Sequence, residues 1–280
     1  MRLARLAHAG AVVLARLEGD TAVPIATEGA HPGADALRDA LYAGTDLAGA
    51  AAAPIPQAEV RLLAPVAWPQ KIIAIGLNYA DHARESGMEP PPNPVCFVKT
   101  PNSLVGPGEP ISWASGASSQ VDYEAELAVV IGRRASRVAQ AQALDHVLGY
   151  TCCNDVSARD AQFADGQWVR GKSFDTFCPL GPWVVTADEV PDPQALGIRC
   201  RVNGETLQDS STAEMIFGVA EIVSYLSQYL TLLPGDVIAT GTPVGVGFSR
   251  TPPIFLGDGD VVEIEIDGIG TLSNPVRVLS

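Results

Sequence analysis

The chain has 280 residues, of which 47% are hydrophobic, enough to bury a sizeable core in one large domain or two unequal ones. Its 18 Lys and Arg stand against 32 Asp and Glu, a formal charge of −14, which argues against nucleic acid or an anionic membrane surface as a partner. An anionic small substrate then needs a local cation to offset the overall field, and a bound metal supplies one.

In chain order, the N-terminal run MRLARLAHAGAVVLARLEGD is interrupted by Arg16 and Glu18 and no cleavage segment follows it. It reads as a short strand or hairpin, not as a signal sequence. Further short strands lead to a helix around Ala34–Tyr42. The run GTDLAGAAAAPIPQAEV then reads as a connector, which divides the chain into a small N-terminal part with its linker, residues 1–65, and a larger part, residues 66–280. In that larger part, apolar runs such as KIIAIGL, LAVVIG, WVVT and DVVEIEI alternate with Gly/Pro turns, the pattern of many short strands. Helical periodicity is confined to Tyr79–Ser86, Val138–His146, Asp155–Phe163 and Ala213–Gln228. The result is a strand-dominated α+β fold with helices packed outside. No apolar stretch reaches the roughly 18 residues that a membrane span needs. The five cysteines form no CxxC pair, so they read as reduced thiols of a cytoplasmic protein.

Three segments carry chemistry. In VDYEAELAVVIG, residues 121–132, strand alternation puts Asp122, Glu124, Glu126, Ala128 and Val130 on one face. Ala128 and Val130 extend that face into apolar territory, which weakens the alternative of a solvated polar face. Two carboxylates side by side on a buried face take up protons unless a cation holds them. In NDVSARDAQF, residues 154–163, a helix would align Asp155, Arg159 and Gln162 at i, i+4 and i+7. That stripe fits a surface Asp–Arg pair, or a third carboxylate joining the first two. Three oxygen ligands without histidine suit Mg²⁺ or Mn²⁺ better than zinc. In GLNYADHARESG, residues 76–87, His82 and Glu85 meet at i, i+3. The pair fits a solvated helical turn, or a general base oriented by a carboxylate. The Pro-rich MEPPPNPVCF that follows is a tether on which such a helix acts as a lid.

Lys172, in a loop bracketed by aromatics and prolines, is either a surface lysine or an oxyanion-stabilising group. The Gly-rich PGDVIATGTPVGVGF around Thr242 is either a tight turn or a backbone approach to a ligand. Neither a GxGxxG nor a GxxxxGK[ST] pattern is present there, so nucleotide-binding loops are excluded.

These segments, together with FVKTPNSLVGPGEPI, GYTCCNDVSARDAQ, GQWVRGKSFDTFCPLGPW and VNGETLQDSSTAEMIF, run in an order that resembles the fumarylacetoacetate hydrolase family from about Lys71 to the C-terminus. The resemblance implies a mixed β-sandwich roll and a homodimer. It implies Glu124, Glu126 and Asp155 as ligands of Mg²⁺ or Mn²⁺, and His82 with Glu85 as the dyad that activates water. It implies Lys172 as the stabiliser of an enolate, and Arg159, Gln162 and Thr242 as contacts to substrate oxygens. The activity it implies is hydrolysis of a C–C bond in an acylpyruvate or other 2,4-diketo acid, a small anionic keto acid. The alternatives are a β-keto-acid decarboxylase, or a hydroxymuconate-type isomerase working through the same enolate. The lid and the loops near Trp113 and Phe248 are expected to select the acyl group.

Overall fold

The computed structural model describes residues 1–31 and 33–280. Strands Arg2–His8 and Ala11–Glu18 form a hairpin in which His8 pairs with Ala11. The intervening Ala9 and Gly10 have φ of 47° and 80°, the left-handed pair that lets a two-residue turn follow the strands' own twist. Strand Thr21–Thr27 adds to the hairpin. Helix α1, Ala36–Ala43, packs Leu37 and Ala40 on this layer. The buried Asp35 accepts from the Arg38 amide at one oxygen and from the Ala67 and Trp68 amides at the other, capping α1 and tying it to the next segment.

Strands from the first 65 residues and from the remainder share one sheet. Arg2–His8 pairs with Cys178–Thr186, and the ladder continues through Val147–Asn154, Ala125–Ile131, Val237–Ala239 and Ile72–Gly76 to the edge strand Val95–Lys99. A second sheet of five strands runs Glu205–Ser211, Gly197–Val202, Val261–Ile266, Gly270–Leu279 and Ile111–Ala114. The two share a hydrophobic core. Leu127, Val129 and Ile131 of the first sheet are buried in the same cluster as Ile198, Ile264 and Leu272 of the second. Their neighbours Ala128 and Val130 face the opposite cluster, with Ile72, Val237 and Leu37 of α1. Strand Ala125–Ile131 is therefore buried on both faces, which explains its near-continuous apolar run.

The helices differ in part from expectation. Helix α2 spans Ala80–Ser86, as the periodicity suggests. Residues 155–158 are not helical; Ser157–Ala158 pairs as a short strand with Val121–Asp122, and α3 runs only Arg159–Ala164. Asp155 therefore does not lie on a helical stripe with Arg159 and Gln162. Lys172 ends the short helix α4, Val169–Lys172, where a loop was expected. Helix α5 begins at Val219, not at Ala213, and ends at Tyr229; the Val138–His146 segment is 3₁₀-helical over Gln140–His146. Among the described residues, no helix is long and apolar enough to cross a membrane.

Candidate active site and metal centre

The register of two antiparallel strands brings the carboxylates together. Ala125 pairs with Asn154, so the next residues outward, Glu124 and Asp155, lie opposite each other, and the Asp155 amide donates to the Glu124 carbonyl at 3.0 Å. Glu126, two residues along, points to the same face as Glu124. Ligand oxygens of Glu124, Glu126 and Asp155 all lie within 4.8 Å of one another, and all three residues are buried. Asp122, next on this face, is buried as well.

Three buried cations answer these four carboxylates. Lys172 Nζ lies 2.8 Å from both Glu124 and Asp155. Arg159 Nη2 lies 2.7 Å from Asp122 and 2.6 Å from Glu124, without hydrogen-bond alignment to either, so these are charge contacts; its Nε donates to Asp122 at 2.9 Å. The third cation, Lys99, had no role in the sequence reading. Its side chain is fully buried, and its ammonium binds Asp155 Oδ1 at 2.6 Å as well as the carbonyls of Val156 and Lys172. Strand alternation places Lys99 on the same side of the edge strand as Phe97, and a lysine on that inward row was the available signal. Asp122 was legible in the same way, from its two-residue spacing to Glu124.

Of the four, Glu126 alone forms no ion pair among the described residues; one backbone donor, the Gly241 amide at 2.8 Å, serves it. Burial, then the charges of Asp155 and Glu124, push its carboxyl well above the usual carboxylate range. Burial acts on Glu124 too, but Lys172 and Arg159 outweigh it and hold that carboxyl at about 2. The cluster thus lacks one positive charge. A divalent cation among the three oxygen donors supplies it and leaves one charge over for a substrate carboxylate. The residues present fit Mg²⁺ or Mn²⁺ in this respect.

Helix α2 brings the dyad to the same place. Asn78, just before it, donates to the carbonyls of Thr240 and Phe217 and accepts from the Phe217 amide. Asp81 accepts from the His82 amide at 2.7 Å and from the Ser210 hydroxyl at 2.5 Å. Glu85 accepts from the Gly245 amide at 3.1 Å and lies 3.3 Å from His82 Nδ1. That contact selects the tautomer with hydrogen on Nδ1 and leaves Nε2 as the acceptor.

His82, Glu85, Glu124, Glu126, Arg159, Gln162, Lys172 and Thr242 line one cavity of about 410 Å³. Asp155 does not line it, but it is buried and joined to the lining residues Glu124, Glu126 and Lys172 through the carboxylate cluster and its ion pair. Within the cavity, Gln162 accepts from Arg159 at 3.0 Å, and the Thr242 hydroxyl accepts from Gln208 at 2.9 Å. Phe248 also lines the cavity, under the Arg159 guanidinium at 4.3 Å. Trp113 does not. It is buried in the core beside Phe177, with its indole N–H on the Ser118 carbonyl, because its strand pairs inside the second sheet.

Residues 71–277 match the family model described as fumarylacetoacetate (FAA) hydrolase C-terminal, and residues 1–65 match one described as Rv2993c-like, N-terminal. The chain belongs to the fumarylacetoacetate hydrolase family. It is 50% identical over 224 residues to the oxaloacetate tautomerase fahd2, mitochondrial, of Xenopus laevis, a match covering 79% of this chain and 70% of that protein. It is 45% identical over 276 residues to the protein Rv2993c of Mycobacterium tuberculosis, covering 99% of this chain and 98% of the other. Among solved structures, it resembles the 5-carboxymethyl-2-hydroxymuconate delta-isomerase from Mycobacterium smegmatis, with 42% identity, a TM-score of 0.83 and all of both chains covered. The family relationship and the strand-dominated architecture agree with the resemblance found in the sequence.

Proposed function

We propose that this family member is a divalent-metal-dependent enzyme that moves a proton at the carbon beside the keto group of a 2-keto acid, interconverting enol and keto forms. One observation carries the reading: the His82–Glu85 pair opens onto the same cavity as the charge-deficient triad Glu124, Glu126 and Asp155. Those three residues would hold a divalent cation, which when bound would supply Lewis-acid polarisation of a keto group and so acidify the adjacent carbon. His82 Nε2 takes the carbon-bound proton and returns it, while Glu85 stabilises the charged ring. Lys172 and Arg159 bring positive charge to the end of the cavity where oxyanion charge develops. Two relatives named above, a tautomerase and an isomerase, support proton relocation as the reaction class.

Hydrolysis of a C–C bond in an acylpyruvate is the second reading, favoured by the size of the cavity, which has room beyond the reacting end. There His82 takes its proton from water, the resulting hydroxide adds to the distal carbonyl, and the C–C bond breaks to release a pyruvate enolate that is then protonated. The test is to follow a 2,4-diketo acid and enol-oxaloacetate by NMR in D₂O with Mg²⁺ or Mn²⁺. Deuterium at C3 with the skeleton intact supports proton transfer, and stoichiometric pyruvate plus a carboxylic acid supports hydrolysis. Release of CO₂ would indicate a decarboxylase, and no metal-dependent change in either compound overturns both readings.

A further inference from the structure

The segment VNGETLQDSSTAEMIF carries a buried amide that the proposed chemistry does not use. Gln208 lies on the second sheet's strand Glu205–Ser211 and is 1% exposed. The ladder with Gly197–Val202 slips there. Cys200 pairs with Gln208 and Arg201 with Thr206, so Leu207 is the extra residue of a bulge. Leu207 and Gln208 are both buried, and the Gln208 side chain reaches across to the first sheet.

Three contacts fix which way this amide faces. Its Oε1 accepts at 2.8 Å from the amide of Ala125, the residue between Glu124 and Glu126. Its Nε2 donates to the Pro243 carbonyl at 3.0 Å and to the Thr242 hydroxyl at 2.9 Å. The Ala125 N–H only donates and the Pro243 carbonyl only accepts, so the amide has one workable orientation. Both Nε2 hydrogens are then engaged, and the Thr242 oxygen is obliged to accept. Its own hydrogen has no acceptor among the described residues, although Thr242 is only 5% exposed and lines the cavity. A buried hydroxyl hydrogen left over in this way points to an acceptor supplied by a ligand.

Resting on the reading that a 2-keto-acid head binds at the triad, we propose that Gln208 is a positioning residue for that head. By occupying the Thr242 oxygen, it makes the threonine a fixed donor toward a carboxylate or enolate oxygen. It also ties that donor to the backbone between Glu124 and Glu126. A free threonine hydroxyl donates or accepts according to its rotation, whereas this one is set before the ligand arrives.

Oxalate, which presents only acceptor oxygens, is the probe. Its dissociation constant is measured by calorimetry on the full chain with Mg²⁺, across the cycle of Thr242→Val, Gln208→Met and their combination. Thr242→Val should weaken oxalate about tenfold to a hundredfold, the scale of a hydrogen bond to a charged group, while Thr242→Ser should stay within about threefold of the parent. Gln208→Met should weaken it about threefold to tenfold, because the hydroxyl is then free to turn. The double variant should bind within about twofold of Thr242→Val alone, since Gln208 acts through that hydroxyl. Additive losses would show that Gln208 only supports the backbone at Ala125, and they overturn the assignment. Parental affinity in Thr242→Val or in Gln208→Met overturns it too, as does a loss in Thr242→Ser equal to that in Thr242→Val. If Gln208→Met does not fold, Gln208→Asn enters the same cycle; one carbon shorter, it keeps an amide but does not span Ala125 and Thr242 together. Failure of the parent to bind oxalate with Mg²⁺ removes the 2-keto-acid reading, and this inference with it.

Discussion

Glu126 stands out because burial and two neighbouring carboxylates outweigh the pull of Lys172, which forms no ion pair with it. Replacing it by Gln keeps the shape and removes the charge, so the fold should persist while Mn²⁺ affinity falls by at least about a hundredfold in calorimetry. The same residue sets a pH dependence whose sign follows from its raised carboxyl. An acid held above its unfolded value is disfavoured in its charged form by the folded state. It therefore lowers stability above that unfolded value, and the loss is recovered as pH falls through the raised one. Glu124 works in the opposite sense. Its carboxyl at about 2 contributes stability that is present above the unfolded value and disappears only as pH falls toward 2. Metal-free protein should thus melt higher at about pH 5.5 than at about pH 8. Mg²⁺ should raise the melting temperature more at the higher pH, and Glu126→Gln should flatten both trends. His82→Ala should lower turnover by about 10² to 10⁴ while leaving Mn²⁺ affinity and oxalate binding within a factor of about two, as expected for a lost proton-transfer group. Near-parental turnover would remove His82 from the mechanism.

At the level of elements, two strand ends carry the triad, α2 carries the dyad, α3 and α4 bring Arg159 and Lys172, and a glycine loop lies against the dyad. Gly245 has φ of 100°, its amide serves Glu85, and a Cβ there would come within 2.3 Å of the Leu207 carbonyl. Gly245→Ala should push the loop off Leu207 and release Glu85 from its donor. Turnover should drop by roughly tenfold to a hundredfold, the scale of an ångström's misplacement, with Mn²⁺ affinity unchanged. Parallel losses in both would show that the loop supports the whole site and not the dyad in particular. At this scale the sequence was an uneven guide. Alternation along VDYEAELAVVIG correctly put Glu124 and Glu126 on one buried face, because both faces of that strand are covered. The helix expected at Asp155 failed because Ser157 and Ala158 pair with Val121 and Asp122, a contact between residues far apart in the chain.

Across the whole molecule, one sheet runs from the first hairpin to the edge strand Val95–Lys99, where Cys96 is exposed and Val95 and Val98 are 41% and 43% exposed. An open edge carrying apolar side chains invites pairing or cover. A second copy of the chain is the expected cover, so light scattering should give about twice 29.2 kDa. A concentration-independent monomer would contradict it, and Val98→Lys should shift the equilibrium toward monomer.

The amino-acid sequence by itself determined the strand-dominated class and the family, and it named most of the residues that meet in the cavity. Alternation, helical spacing and an ordered series of motifs are local properties that a single chain displays. Only the tertiary structure decided the charge balance. Lys99 and Asp122 come from strands and Arg159 and Lys172 from α3 and α4, and the packing of these separate segments brings their charges within 3 Å of their partners. Glu126 is left without an ion pair by that same packing, and the rings that line the cavity come from the edge strand, α3, the residue before α4 and the loop at Phe248. Both features follow from contacts between distant parts of the chain, which no local pattern records.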